Sequence, residues 1–234
     1  IITYSETYYS SLGYQKIYTP WIIDNDVKKI TAPLKRKGFD LGDRKLTASA
    51  EQSYLQLIKE NKLKPGKYVS TTPCFRDEDK IDELHQYYFL KTELIEFNIN
   101  GKKNLQGNLL TMLNHAQEFF SQYIPVKVIG TEIGYDIIDS ENEIELGSYG
   151  IRQHHFSNDK KINWVYGTGV ALPRLNYVCN LVRKPGYHDS LIPKSKMGSF
   201  FKILEEIEEK IAILELLIKE EGDVSLTELH SIEE

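Results

Sequence analysis

The sequence predicts an α+β fold: an antiparallel β-sheet flanked by helices, with a further helix at the C-terminus. Three patterns point there. Strand-like segments gather in two runs, PGKYVSTTPCF with YYFLKTELIEFNI, then VKVIG, GYDIID, EIELGSYGIR and INWVYGT. Helical segments lie between and after these runs instead of alternating with every strand, the arrangement of an antiparallel-rich sheet. The helical segments themselves, NLLTMLNHAQEFFSQYI above all, carry an apolar stripe at helical spacing.

From the N-terminus, residues 1–10 (IITYSETYYS) read as the end of a helix stopped by Gly13. A start inside a helix implies a gene product that begins earlier. YQKIYTPWII alternates as a strand with Pro20 near its end. Residues 31–45 (TAPLKRKGFDLGDRK) form a polar, basic loop. LTASAEQSYLQLIKENKL is a turn and then a helix, with Ser49 as N-cap and Leu55, Ile58 and Leu63 at roughly helical spacing. PGKYVSTTPCF is a turn and a strand, RDEDKIDELHQ a loop, and YYFLKTELIEFNI a long strand. One face of that strand carries Phe89, Lys91, Glu93 and Ile95, so two charges interrupt an apolar row. The amphipathic helix and four strand segments follow, then a helix from about Val170 to Val182 (VALPRLNYVCNLV). Residues 199–221 form the clearest helix, capped by Ser199 and ended by Gly222. Phe200, Leu204, Ile207, Ile211, Leu214 and Ile218 make a heptad-like seam along it. The seam is short for a coiled coil, so docking on the chain's own domain is expected ahead of a dimer or partner helix. The expected division is a catalytic core over 1–198 and a C-terminal helix and tail over 199–234.

The 234 residues, 41% hydrophobic and 27% charged, suit one soluble domain with a small appendage and can bury a sizeable core. A net charge of −5 gives no global positive field for nucleic acid, though a local basic groove is compatible with it. Cys74 and Cys179 have no metal-type spacing and read as buried thiols in a reduced, cytoplasmic setting. No apolar run approaches membrane-span length and no signal peptide is visible, so no membrane partner is expected. His154 and His155 read as an exposed turn, and Lys35, Arg36 and Lys37 as a solvated loop.

Three segments carry chemistry. In PCFRDE, Arg76 follows the strand residue Phe75 and precedes Asp77, Glu78 and Asp79. A strand-held guanidinium is a fixed fork that can grip a phosphate. Glu78 can orient a nucleotide amine or a metal-bound water. His85 can touch an outer phosphate, and Tyr87, Tyr88 or Phe89 can stack on a base. Lys91 and Glu93, if buried, can hold the carboxylate and ammonium of an amino acid. A surface hairpin with solvated salt bridges fits the same residues equally well. GTGVALPR, residues 167–174, reads as a glycine-spaced turn entering a helix. Gly167 and Gly169 permit close backbone approach, the helix start favours anions, and Arg174 adds a full charge. In EIELGSYGIR, Glu143 and Glu145 alternate onto one strand face, with Ser148 after a glycine. Carboxylates on a strand beside phosphates are natural Mg²⁺ ligands; an exposed acidic edge strand is the competing reading for Glu143.

In this order the motifs resemble the catalytic core of the class II aminoacyl-tRNA synthetases. LGYQKIYTP resembles the first family motif, PCFRDE…LHQYYFLKTELIEF the second and GTGVALPR the third. LTASAEQ (46–52) resembles the stretch that contacts the amino acid, and ELGSYGIR the metal-binding strand before the third motif. The resemblance spans about residues 4–182. PCFR, HQ, K-x-E-L and G-T-G-V-A-x-x-R look most like the seryl-type enzymes. ELGSYGIR and the spacing from Arg76 to Leu84-His85 also look like the ammonia-dependent asparagine synthetase. Ala171 stands where a third glycine is common, and Pro173 directly precedes Arg174.

The resemblance implies activation of an amino acid by ATP with Mg²⁺. Arg76 would bridge the substrate carboxylate and the α-phosphate, and Arg174 would hold the γ-phosphate. Glu145 would carry Mg²⁺ with Ser148 nearby, and Gly169 would belong to the nucleotide-binding turn. Glu78 would meet the adenine or a water, an aromatic near Tyr88 would stack on the ring, and His85 would reach the outer phosphate. Lys91 and Glu93 would read the amino acid, with Glu51 lining its pocket. The acceptor stays open between tRNA, a carrier protein and ammonia, and a homodimer through the first motif is implied. The competing class is a catalytically inactive relative that binds nucleotide or RNA; the presence of Arg76, Glu145 and Arg174 favours the enzyme. A dimerisation module built on the C-terminal helix is a third reading.

Overall fold

A computed structural model describes residues 1–31, 38–99, 104–156 and 161–182, all within one compact unit. The helix expected over 199–221, the division at residue 198 and the Lys35–Arg36–Lys37 loop lie outside the described residues.

Helix α1 (Ile2–Ser11) ends before Gly13, whose φ of +88° is open to glycine without steric penalty. The single strand expected over YQKIYTPWII is two short ones, β1 (Gln15–Lys16) and β2 (Ile22–Asp24), which join different sheets. Pro20, with no N–H to donate to a ladder, lies between them. After α2 (Asn25–Thr31), the expected loop holds a hairpin, β3 (Asp40–Leu41) and β4 (Arg44–Leu46), turning at Gly42. Helix α3 (Ala50–Lys59) begins after Ser49, as expected, but the Ser49 side chain makes no capping bond. The Ala50 N–H donates instead to the Glu93 carboxylate, and Gln52 Oε1 accepts from Ala48 N at 2.9 Å. A charged acceptor at a helix start is favoured over a hydroxyl by the helix dipole.

Strands β5 (Gly66–Phe75) and β6 (Tyr88–Ile99) form the long hairpin. Helix α4 (Leu105–Ser121) is capped by Asn104, whose side chain accepts from Gly107 N at 3.0 Å. Then come β7 (Val126–Thr131), β8 (Gly134–Asp139), β9 (Glu145–His155), β10 (Lys161–Ala171) and α5 (Leu172–Val182). Three expectations are corrected here. His154 and His155 end strand β9 and do not form a turn. Glu143 sits in the turn before β9 at φ +59°, bonded to Lys127 at 2.7 Å, so it shares no strand face with Glu145. Asp139 fixes that turn by accepting from the backbone N–H of Glu141, Asn142 and Ile144. Gly167 and Gly169 lie inside strand β10 instead of a turn, and the helix starts only at Leu172.

The main sheet runs β1-β5-β6-β10-β9-β8-β7, antiparallel except for the β1–β5 pair. One face packs α1, α4 and α5 onto Val69, Leu94, Ile137, Tyr149 and Val165. The other packs α3 onto Tyr68, Ile95, Phe97, Trp164 and Tyr166. Strand alternation assigns these sets, because successive side chains point to opposite faces. Among the described residues no helix is long and apolar enough to cross a membrane.

Candidate functional site

Two adjoining hollows open on the α3 face of the sheet, the larger about 440 Å³. Arg76, Lys91, Glu145, Thr168 and Arg174 line both. The row Phe89, Lys91, Glu93, Ile95, Phe97 accounts for the placement: its first three members line the hollows and its last two are core under α3.

Arg76 leaves the end of β5, its backbone N–H bonded to Tyr87 O at 2.8 Å. Its guanidinium lies 5.0 Å from the centroid of the Phe89 ring, and its Nε donates to Ala48 O at 3.4 Å. Arg174, in the first turn of α5, reaches across to β9 and donates to Glu145 O at 3.0 Å and Oε1 at 2.7 Å. Among the described residues, Lys91, Arg152 and Arg174 each pair with a carboxylate, and no such pair is found for Arg76. Among the described residues, Arg76 is thus the cleft guanidinium with no carboxylate partner.

Lys91 Nζ meets Glu93 Oε1 at 2.7 Å, with side chains only 13% and 8% exposed. The solvated-hairpin reading fails for this pair. Glu51, on the first turn of α3, accepts from Trp164 Nε1 at 2.7 Å and Arg152 Nη1 at 2.5 Å. Burial pushes the Glu51 carboxyl above its ordinary value, against the pull of Arg152. The Arg152 guanidinium lies 4.2 Å from the Tyr166 ring centroid, a cation–π contact that holds it flat against the wall. Ser148 lies opposite Asp136, whose carboxyl is raised first by burial and then by the charge of Glu145, with a Ser148 hydrogen bond opposing.

Glu78 and His85 line the smaller hollow. His85 is oriented by Asp82, whose Oδ1 contacts His85 Nδ1 at 2.8 Å and accepts the Leu84 and His85 backbone N–H groups. Tyr88 does not line this cleft. It is 71% exposed and borders a separate apolar hollow with Trp21, Leu90 and Leu172. Phe89, under Arg76, is the aromatic lining the smaller hollow. Gly169 is also absent from the cleft lining; a Cβ there would point at Tyr9 and Thr92, toward α1. Glu145 and Ser148 face the cleft, yet among the described residues no three His, Cys, Asp or Glu side chains group to hold a metal. Mg²⁺ fits such a place only if a ligand brings most of the oxygens, its usual mode with nucleotides.

Sequence reasoning missed Arg152, Thr168 and Lys28 as lining residues. Arg152 was within reach: counting in twos from Ser148 along β9 arrives at it. Thr168 and Lys28 gave no comparable signal.

No family model matches the chain. The chain is similar to the serine–tRNA ligase of Francisella tularensis subsp. novicida, 29% identical over 169 residues, 65% of this chain and 39% of that protein. The cytoplasmic serine–tRNA ligase of Naegleria fowleri, solved in complex with AMP, aligns with a TM-score of 0.61 at 18% identity, over 82% of this chain and 50% of that one. A pyrrolysyl tRNA synthetase from Desulfitobacterium hafniense aligns with a TM-score of 0.59 at 18% identity, over 76% and 67%. The chain spans between 31% and 48% of the length of the curated relatives it matches. The largely antiparallel sheet, the order of the motif segments along it and these likenesses agree on the fold: the described domain is similar to the catalytic core of the class II aminoacyl-tRNA synthetases.

Proposed function

We propose that the chain activates an amino acid with ATP, forming an aminoacyl-adenylate and pyrophosphate. The observation that carries this reading is the convergence of Arg76 and Arg174 on one cleft beside the buried Lys91–Glu93 pair. In the reaction a carboxylate oxygen bonds to the α-phosphorus while the bond to the β,γ-diphosphate breaks. Two anions must meet, so positioned positive charge is what lowers the barrier most. Arg76 binds the carboxylate and the α-phosphate together. Arg174 exchanges Glu145 for the outer phosphate. Phe89, in place of Tyr88, offers the ring face for the base, with Glu78 and His85 at the rim. Glu93 takes the substrate ammonium and Lys91, bonded to it, holds its carboxylate in place; Glu51 and Arg152 form the far wall. Mg²⁺ bound with the nucleotide supplies further charge screening, and Glu145 with Ser148 would hold it.

The AMP complex of the Naegleria neighbour supports a nucleotide in this fold, and the serine–tRNA ligase relatives support tRNA as the acceptor. A cytoplasmic homodimer belongs to the same reading. The test is ATP–pyrophosphate exchange with each proteinogenic amino acid in turn. Exchange with one amino acid, or a small set, is expected. ATP binding without exchange for any of them would move the protein to the inactive, nucleotide-binding class.

A further inference from the structure

Strand β10 carries a β-bulge where it enters the cleft. Thr168 pairs with Glu93 and Val170 with Thr92, so Gly169 has no partner on β6. On the other side, pairing with β9 stops at Gly167–Tyr149. Two tyrosine hydroxyls fill the gap. Tyr149 donates to Thr168 O at 2.6 Å, and Tyr9, from α1, donates to Gly169 O at 2.9 Å. Both tyrosines are fully buried, packed in the core on the far side of the sheet from the cleft. A phenylalanine would fill that core as well; a buried hydroxyl is tolerated only when bonded.

Glycines make room for both rings. A Cβ on Gly147 would lie 2.7 Å from Tyr149 Oη, one on Gly167 2.5 Å from Tyr149 Cδ1, and one on Gly169 2.9 Å from Tyr9 Cε2. The glycine spacing of GTG thus serves tyrosine access from behind the sheet. Immediately after the bulge the chain turns into α5, which carries Arg174.

We propose that Tyr149 and Tyr9 are positioning residues whose hydroxyls fix the β10 bulge and thereby aim Thr168 and Arg174 into the cleft. The link to nucleotide rests on the proposed function; the link to the segment does not. Displacing a positioning group by about 1 Å can lower a rate on the order of 10²-fold.

The test uses Tyr149→Phe, Tyr9→Phe and the double variant in the full chain, read by amide hydrogen exchange and ATP–pyrophosphate exchange. Loss of one hydrogen bond should speed exchange of peptides covering 167–175 roughly five- to tenfold, leaving β5 and β6 peptides unchanged. In the kinetic arm, kcat should fall about tenfold and KM for ATP should rise. KM for the amino acid should hold, because its proposed contacts sit on β6 and α3. Faster exchange spread evenly over the sheet, with both KM values disturbed, would reduce the tyrosines to core packing and overturn the proposal. Unchanged exchange at 167–175 would overturn it too. If the wild type activates no amino acid, local loosening at 167–175 still upholds the clamp while the proposed function falls.

Discussion

Replacing Arg152 by methionine tests the wall of the cleft that carries Glu51. The Glu51 side chain is 10% exposed, and among the described residues its carboxylate has two donors, Arg152 Nη1 and Trp164 Nε1. Methionine keeps much of the side-chain volume against Tyr166 but leaves the carboxylate with the indole N–H alone. Breaking a buried ion pair from one side costs ~3–5 kcal/mol. The Arg152 side chain is 31% exposed, so water already screens part of the attraction and ~2–3 kcal/mol is the expected loss. Glu51→Gln should cost less, ~1 kcal/mol, because Arg152 can turn its exposed edge to water and the amide oxygen still accepts from Trp164. In the double variant the losses should fall short of additive by ~1–2 kcal/mol. The pH dependence has a definite sign. Burial holds the folded Glu51 carboxyl above its ordinary 4.5, and removal of Arg152 drives it higher. A raised folded pKa means stability that is full below the unfolded value and is lost as pH rises through the folded one. The Arg152→Met deficit should therefore widen as pH rises above the ordinary 4.5, by at most ~1.4 kcal/mol per unit, and the slope should vanish with Glu51→Gln. Urea unfolding followed by tryptophan fluorescence reads this directly, with the buried Trp164 beside the perturbation. Additive losses, or a deficit flat across that pH range, would refute the reasoning.

Arg76→Ala should separate activity from stability. Its contacts in the fold are a cation–π contact and one long hydrogen bond, together ~1–1.5 kcal/mol, whereas a lost transition-state donor costs ~3–4 kcal/mol of barrier, or roughly 10²–10³-fold in exchange rate. Asp139→Asn should destabilise by ~1–3 kcal/mol near neutral pH. Burial pushes the Asp139 carboxyl up, but the N–H groups of Asn142 and Ile144, with the Asn142 side chain and Glu141 N–H, bring it below its ordinary 3.8. Its stabilisation is thus present above 3.8 and lost as pH falls through the lowered folded value, so urea midpoints of variant and wild type should converge in acid. Cys74, fully buried and pushed up to about 12 by that burial, should resist alkylation in the native protein and react promptly in urea, as mass spectrometry would record.

Local rules carried the long hairpin. Counting in twos placed Lys91 and Glu93 side by side, and they are bonded. The same count excludes Tyr88, since the face of Lys91 and Glu93 continues back to Phe89; that phase was available in the sequence and went unused. The order of the motif segments conveyed the fold because it reflects which strands meet at one end of the sheet. What stayed hidden depends on partners far along the chain. Ser49 marks the start of α3, but the acceptor for Ala50 comes from Glu93, 43 residues on. Gly169 in isolation reads as a turn, because strand interiors disfavour glycine; only Tyr9, 160 residues away, explains its place in a strand. Alternation from Ser148 reaches Arg152, but its pairing with Glu51, 101 residues distant, is encoded by no local pattern.

Strand β6 hands one face from polar cleft to apolar interior in a single step, Glu93 to Ile95, and Trp164 touches both sides by donating to Glu51 from within the core. The cleft wall therefore runs straight into the apolar core of this face, with no hinge or cushion between them. Heating should extinguish ligand affinity and tertiary structure in one transition, and thermal tolerance could not be raised by stiffening the interior without also retuning which molecule fits.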